Sequence, residues 1–228
     1  MKRNKVTKLK HKEEREGRTC NHLTPKTENQ RLFMQALLGS PLICGIGCAG
    51  TGKTYIAGMI AVQKLLRNEI NQIIISRPNI STGKSLGSFP GDVGEKMAPW
   101  LAPILTVLKK GLGAADYECR LNKSILIQPL ETIRGQSFDD SFVIVDESQN
   151  LEMEEIKAIV TRLGENCTLA LIGDPNQSDI KNGTSLSRFV NMCNQGDVDV
   201  PLIEFTIDDI VRSDICAQMI KLFHNNNL

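Results

Sequence analysis

Aromatic residues are scarce: one Trp, two Tyr and seven Phe in 228 residues. So few rings disfavour a single-strand binder built on base-stacking platforms. The seven cysteines, Cys20, Cys44, Cys48, Cys119, Cys167, Cys193 and Cys216, include no CxxC pair and are odd in number. That spacing argues against structural zinc or a disulfide framework and for free thiols in a reducing cytoplasm. No apolar run approaches the roughly 18 to 20 residues of a bilayer span, and no apolar segment follows the basic N-terminus to make a secretory signal. A cytoplasmic protein without membrane contact is expected. Net charge is nearly absent too, +1 from 27 Lys+Arg against 26 Asp+Glu. The balance conceals a division: residues 1–18 carry eight Lys/Arg and three Glu, a net of +5, against −4 for the remainder.

What is present is ordinary for a globular domain, 41% hydrophobic and 23% charged residues. The length suits one large domain with a short appendage. We expect a basic, flexible tail over 1–20 and a single domain over 21–228. The tail is either a solvated extension or a weak electrostatic arm for nucleic acid or ribosomal RNA.

Hydrophobic periodicity predicts helices within 24–38, 53–67, 95–110, 154–164 and 213–224. Pro99 and Pro103 should break or kink the third, and Gly164 should stop the fourth. Apolar runs predict strands at 41–46, 73–76, 124–130, 141–147, 168–174 and 202–205. Strands that alternate with helices and are apolar on both faces imply an α/β fold, a doubly wound, mostly parallel sheet. The Gly-, Ser- and Pro-rich stretch 77–92 is too long for a routine connection. There Lys84, Ser85 and Phe89 form either a nucleic-acid face or part of a structural Ω-loop.

GCAGTGKT (47–54) fits G-x-x-x-x-G-K-[ST] between a predicted strand and a predicted helix. Gly47, Gly50 and Gly52 let backbone N–H groups turn inward at a helix N-terminus, with Cys48, Ala49 and Thr51 completing the loop. Lys53 supplies a cation for β- and γ-phosphates, and the Thr54 hydroxyl can ligate Mg²⁺. Tyr55 adjoins the site. FVIVDE (142–147) supplies the second half: a buried strand delivers Asp146 to its carboxyl end as a Mg²⁺ ligand. Glu147 beside it can polarise an attacking water. LIGDPNQ (171–177) repeats the pattern, and Gln177 either senses the γ-phosphate or belongs to an Asx/Pro turn.

With these motifs in place, the sequence resembles the PhoH-like ATPase family, whose P-loop NTPase core is similar to the first RecA-like domain of superfamily 1 helicases. The resemblance includes SRP (76–78), LGSFPGD (86–92), VDESQN (145–150), IRGQSF (133–138), TRLG (161–164), GDPNQ (173–177) and DIVRSD (209–214), and runs from about residue 24 to 223. The match is to a short, ATPase-only form, consistent with a phage-encoded protein, with no room for the nuclease domain of some members. It implies ATP and Mg²⁺ as ligands, a hexameric ring of identical subunits, and nucleic acid, RNA before DNA, as partner. It implies that Gln30, upstream of the P-loop, reads adenine N6 and N7 or lies on an exposed helix face. Transition-state charge calls for an arginine, and Arg77, Arg134, Arg162 and Arg212 each lie in or beside a motif. Arg212 is the first choice for the phosphates, and a neighbouring subunit is expected to supply the arginine finger. Three functions remain open: an ATPase coupled to nucleic acid, an oligomeric ATPase acting on protein or ribosomal partners without unwinding, and a small-molecule kinase. The Gln motifs favour helicase relatives over kinases.

Overall fold

A computed structural model describes residues 23–78, 93–133, 135–177 and 185–225. Thirteen elements matter for the site: α1 (Glu28–Gly39), β1 (Leu42–Gly47), α2 (Lys53–Leu66), β2 (Gln72–Ser76), α3 (Val93–Leu112), α4 (Ala114–Arg120), β3 (Ile125–Ile127), β4 (Ser141–Val145), α5 (Met153–Val160), β5 (Thr168–Gly173), α6 (Ser185–Gln195), β6 (Leu202–Phe205) and α7 (Asp214–Asn225). The six strands form one sheet in the order β3-β2-β4-β5-β1-β6, and every strand pair described is parallel. This is the expected α/β architecture, a doubly wound parallel sheet.

Period-two alternation divides the core. Phe142 and Ile144 of β4 pack with Ala170 and Ile172 of β5 beneath α1, α2 and α3. Val143 and Val145 turn the other way, with Leu169 and Leu171, onto α5 and α6. Both faces are therefore covered, as a parallel sheet requires.

Several elements differ from expectation for identifiable reasons. Helix α3 runs unbroken through Pro99 and Pro103. Its Leu101, Ile104 and Leu108 are fully buried. Burying three such side chains contributes roughly 5 to 9 kcal/mol, on the scale of the about 6 kcal/mol that two interior prolines cost. Helix α5 ends at Val160, ahead of Gly164. That glycine serves close approach: a Cβ there would meet the Asp139 carboxylate at 2.0 Å. Strand β3 is shorter than the 124–130 run, because Leu130–Thr132 turns into a 3₁₀ helix after Pro129. Helices α4 and α6 are additional. Leu186, Phe189, Val190 and Cys193 of α6 are buried at helical spacing among polar residues of modest helix propensity.

Residues 1–20 lie outside the described residues, as does 79–92 with Lys84, Ser85 and Phe89. Among the described residues no helix is long and apolar enough to cross a membrane.

Candidate nucleotide site

Strands β1, β4 and β5 end side by side, and their carboxyl ends carry all three motifs. Between β1 and α2 the chain turns through Gly47, Gly50 and Gly52, all at positive φ. At Gly47 (φ 122°) a Cβ would stand 1.9 Å from the Phe205 carbonyl oxygen, so β6 excludes any side chain there. Lys53 folds back over the loop. Its Nζ donates to the carbonyls of Gly47 (2.6 Å) and Cys48 (2.7 Å) and to Thr51 Oγ1 (3.2 Å), above the Phe205 ring. Burial lowers the Lys53 pKa, against the charges of Asp174, Cys48, Asp146 and Glu147.

Thr54 Oγ1 donates to Asp146 Oδ1 at 3.2 Å, joining the first helical turn after the P-loop to the end of β4. Burial and the Glu147 charge raise the Asp146 pKa, with Arg77 and the Thr54 bond opposing. A hydroxyl and a carboxylate oxygen in contact are hard donors of the kind Mg²⁺ takes. Glu147 adopts a left-handed backbone, φ 55° and ψ 36°, unusual for a residue with a Cβ. Its Oε2 accepts from Gln149 Nε2 at 2.6 Å, and its Oε1 lies 3.5 Å from Arg77 Nη2. Arg77 also donates to the Trp100 carbonyl of α3.

Past β5, Gln177 donates to Asp174 Oδ2 at 2.9 Å and is itself exposed. Beyond β6, Val211 N donates to the Gly50 carbonyl, and the Arg212 side chain lies across Gly50, where a Cβ would meet Nε at 2.9 Å. Lys53, Thr54, Asp146, Glu147, Gln177 and Arg212 thus line one cleft of about 390 Å³, with Ala49, Gly50, Gly52 and Tyr55 and with Pro103 and Val107 of α3 in its wall. A second cleft of about 450 Å³ adjoins it, lined by Gln30, Gly52, Tyr55, Lys110 and Val211. Gln30 is buried, with Nε2 donating to the Thr51 carbonyl (2.8 Å) and Oε1 accepting from Lys26 N (2.7 Å).

The sequence matches the family described as PhoH-like protein over residues 22–224. The chain belongs to the PhoH-like protein family. It is 37% identical over 204 residues to a PhoH-like protein of Bacillus subtilis, covering 89% of this chain and 64% of that one. It is 33% identical over 218 residues to Protein PhoH of Escherichia coli K12, covering 92% and 60%. This chain therefore spans under two thirds of the length of these relatives. The fold resembles the large terminase from a thermophilic bacteriophage (TM-score 0.56, 12% identity, covering 87% of this chain and 50% of that one). It also resembles the UvsW helicase from bacteriophage T4 (TM-score 0.50, 13% identity, covering 82% and 62%).

This PhoH-like fold gathers most of the residues singled out by motif. Gln30 is buried against the P-loop and is not on an exposed helix face. Of the arginines, Arg212 lies over the P-loop of its own chain. Arg77 pairs with Glu147. Arg162 does not line the cleft, and its buried Nε has no hydrogen-bond partner among the described residues. Arg134 lies outside the described residues. No motif assigns a role to Gln149, Asp174, Pro103, Val107 or Phe205. Gln149 and Asp174 stand inside the VDESQN and GDPNQ motifs and were open to assignment there. The α3 and β6 residues carried no local signal.

Proposed function

We propose that this chain binds ATP with Mg²⁺ in the cleft at the carboxyl edge of its sheet and hydrolyses it. The cycle is coupled to nucleic acid, RNA in preference to DNA, as a helicase-like remodeller in the cytoplasm. The observation that carries this reading is the contact of Thr54 with Asp146 at 3.2 Å, in a cleft that also holds Lys53 and Glu147.

Loop amides of residues 47–54 and the Lys53 ammonium bind the phosphates, once Lys53 exchanges its loop carbonyls for them. Thr54 and Asp146 hold Mg²⁺, which neutralises phosphate charge. Glu147 orients the attacking water and accepts its proton. Gln177 senses the γ-phosphate, and Arg212 counters transition-state charge within its own site. Gln30 and Tyr55 flank the base. Gln30 prefers adenine either by exchanging its internal bonds or by shaping the second cleft through them.

The ordered motif set and a fold shared with a helicase support nucleic acid as partner. A hexameric ring is proposed on the family resemblance. The second reading, an oligomeric ATPase working on protein or ribosomal partners without unwinding, is favoured by α7. Ile215, Met219, Leu222 and Phe223 are exposed there at helical spacing, and an apolar stripe suits a protein surface better than a phosphate backbone.

Steady-state ATPase rates with and without single-stranded RNA, single-stranded DNA and ribosomes test both. RNA stimulation that fades with salt is expected, with hydrolysis lost and ATP binding kept in Glu147→Gln. Indifference to both nucleic acids with stimulation by ribosomes selects the second reading. A Glu147→Gln variant that hydrolyses ATP at the wild-type rate removes the mechanism.

A further inference from the structure

Gln149 is 1% exposed, two residues beyond Glu147, and both ends of its amide are used. Nε2 donates to Glu147 Oε2 at 2.6 Å, and Oε1 accepts from the Asp174 backbone N at 3.0 Å. A carboxylate can only accept and a backbone N–H can only donate, so these partners dictate the orientation of the amide. Gly173 is shaped to the same side chain: a Cβ there would meet Gln149 Oε1 at 2.5 Å. Asp174 in turn accepts from Gln177. A continuous bonded path therefore runs from Glu147 through Gln149 and Asp174 to Gln177, and it joins the ends of two adjacent parallel strands.

We propose that Gln149 is a positioning residue for hydrolysis: it holds the Glu147 carboxylate against the water it activates and ties that carboxylate to the segment carrying Gln177. The inference rests on the ATPase reading above and goes beyond it, because it couples the proton acceptor to the γ-phosphate sensor through one buried amide. Glu147 needs such a hold. Its backbone is in a left-handed conformation, and among the described residues its other carboxylate oxygen has the longer contact with Arg77, a residue at the edge of stretch 77–92. The short bond to Gln149 is the firmer of the two constraints. Gln149 itself stands behind the site in this arrangement, since it lines neither cleft beside the P-loop.

The test uses the full chain and four variants: Gln149→Met, Gln149→Glu, Glu147→Gln and the double variant Gln149→Met/Glu147→Gln. Methionine keeps the volume and removes both bonds. Glutamate keeps an acceptor for Asp174 N and removes the donor to Glu147. Both Gln149 single variants are expected to lose about 10- to 100-fold in kcat, the scale of a misplaced reacting group, with ATP affinity unchanged within about threefold. In the Glu147→Gln background, residual single-turnover hydrolysis should not fall further on adding Gln149→Met, because two residues acting as one unit are not additive. Should Gln149→Met fold poorly by its melting temperature, Gln149→Glu carries the comparison. A kcat within about twofold of wild type in the folded variant overturns the proposal while leaving the ATPase reading intact. So does an equal further loss in the Glu147→Gln background, the mark of a merely structural role. A wild-type chain that hydrolyses no ATP overturns both.

Discussion

Burial and the neighbouring Glu147 charge push the Asp146 carboxyl above the ordinary carboxylate range. The folded chain therefore keeps a proton on Asp146 at pH values where the unfolded chain has lost it. The stability this confers is full below the unfolded pKa and is lost as pH rises through the folded one. Asn in place of Asp146 retains an oxygen for the Thr54 hydroxyl and removes the buried charge. Without nucleotide or Mg²⁺, we expect Asp146→Asn to raise unfolding stability by about 1 kcal/mol at neutral pH, in the manner of other relieved functional sites. The advantage should shrink on acidification, and hydrolysis should be lost. Urea unfolding at about pH 5 and pH 8 checks it; an advantage that grows toward acid contradicts the burial argument. Sequence reading located Asp146 by its motif, but the sign of this effect needed its burial and its proximity to Glu147.

Helices α2 and α3 meet through glycine, and that closeness shapes the cleft. A Cβ on Gly58 of α2 would stand 2.8 Å from Ile104 Cδ1 and 2.9 Å from Val107 Cγ1 of α3. Val107 and Pro103 line the cleft together with Lys53 and Thr54. Gly58→Val should force the helices apart and cost about 1 to 3 kcal/mol of stability, as overpacking does. Because the wall moves with α3, ATP affinity should fall as well. Denaturant unfolding and nucleotide titration of the same variant measure both, and lost stability with unchanged affinity would detach α3 from the site. Nothing local announces this pairing, since Gly58 reads in sequence as a weak spot within a helix. The prolines mislead in the same way: read alone they break α3, yet the buried face of Leu101, Ile104 and Leu108 keeps it whole.

At the scale of the whole molecule, the position of Arg212 bears on the proposed ring. The turn after β6 binds Gly50 through Val211 and lays Arg212 across the P-loop of the same chain. On the proposed function, Arg212 therefore serves the phosphates of its own subunit. When inactive Lys53→Ala subunits are mixed with Arg212→Ala subunits, we expect no recovery of ATPase activity at any ratio. In each subunit the intact half-site lacks its own partner. Recovery that peaks at intermediate ratios would show Arg212 serving a neighbour. The Asp209 carboxylate secures this turn. It accepts from Asn29 of α1 and from Thr206 N, so the start of α1 and the Arg212 segment are held together.

The residues of this chain determined by themselves the six strands and most of the helices between them, the P-loop with its lysine and hydroxyl, and the acidic pair after a buried strand. Each of these is a local pattern, set by backbone conformation and by the period of apolar side chains. Tertiary structure decided which motif ends stand together, because β5 lies between β1 and β4 and so lines up three strand ends that are distant in the chain. It also decided that Arg212 faces its own P-loop, that Gln149 binds Glu147 and Asp174 at once, and that Gly47 and Gly58 are demanded by neighbours. Contacts between segments far apart in the chain leave no periodic trace in the sequence. They arise only when the sheet and its covering helices pack.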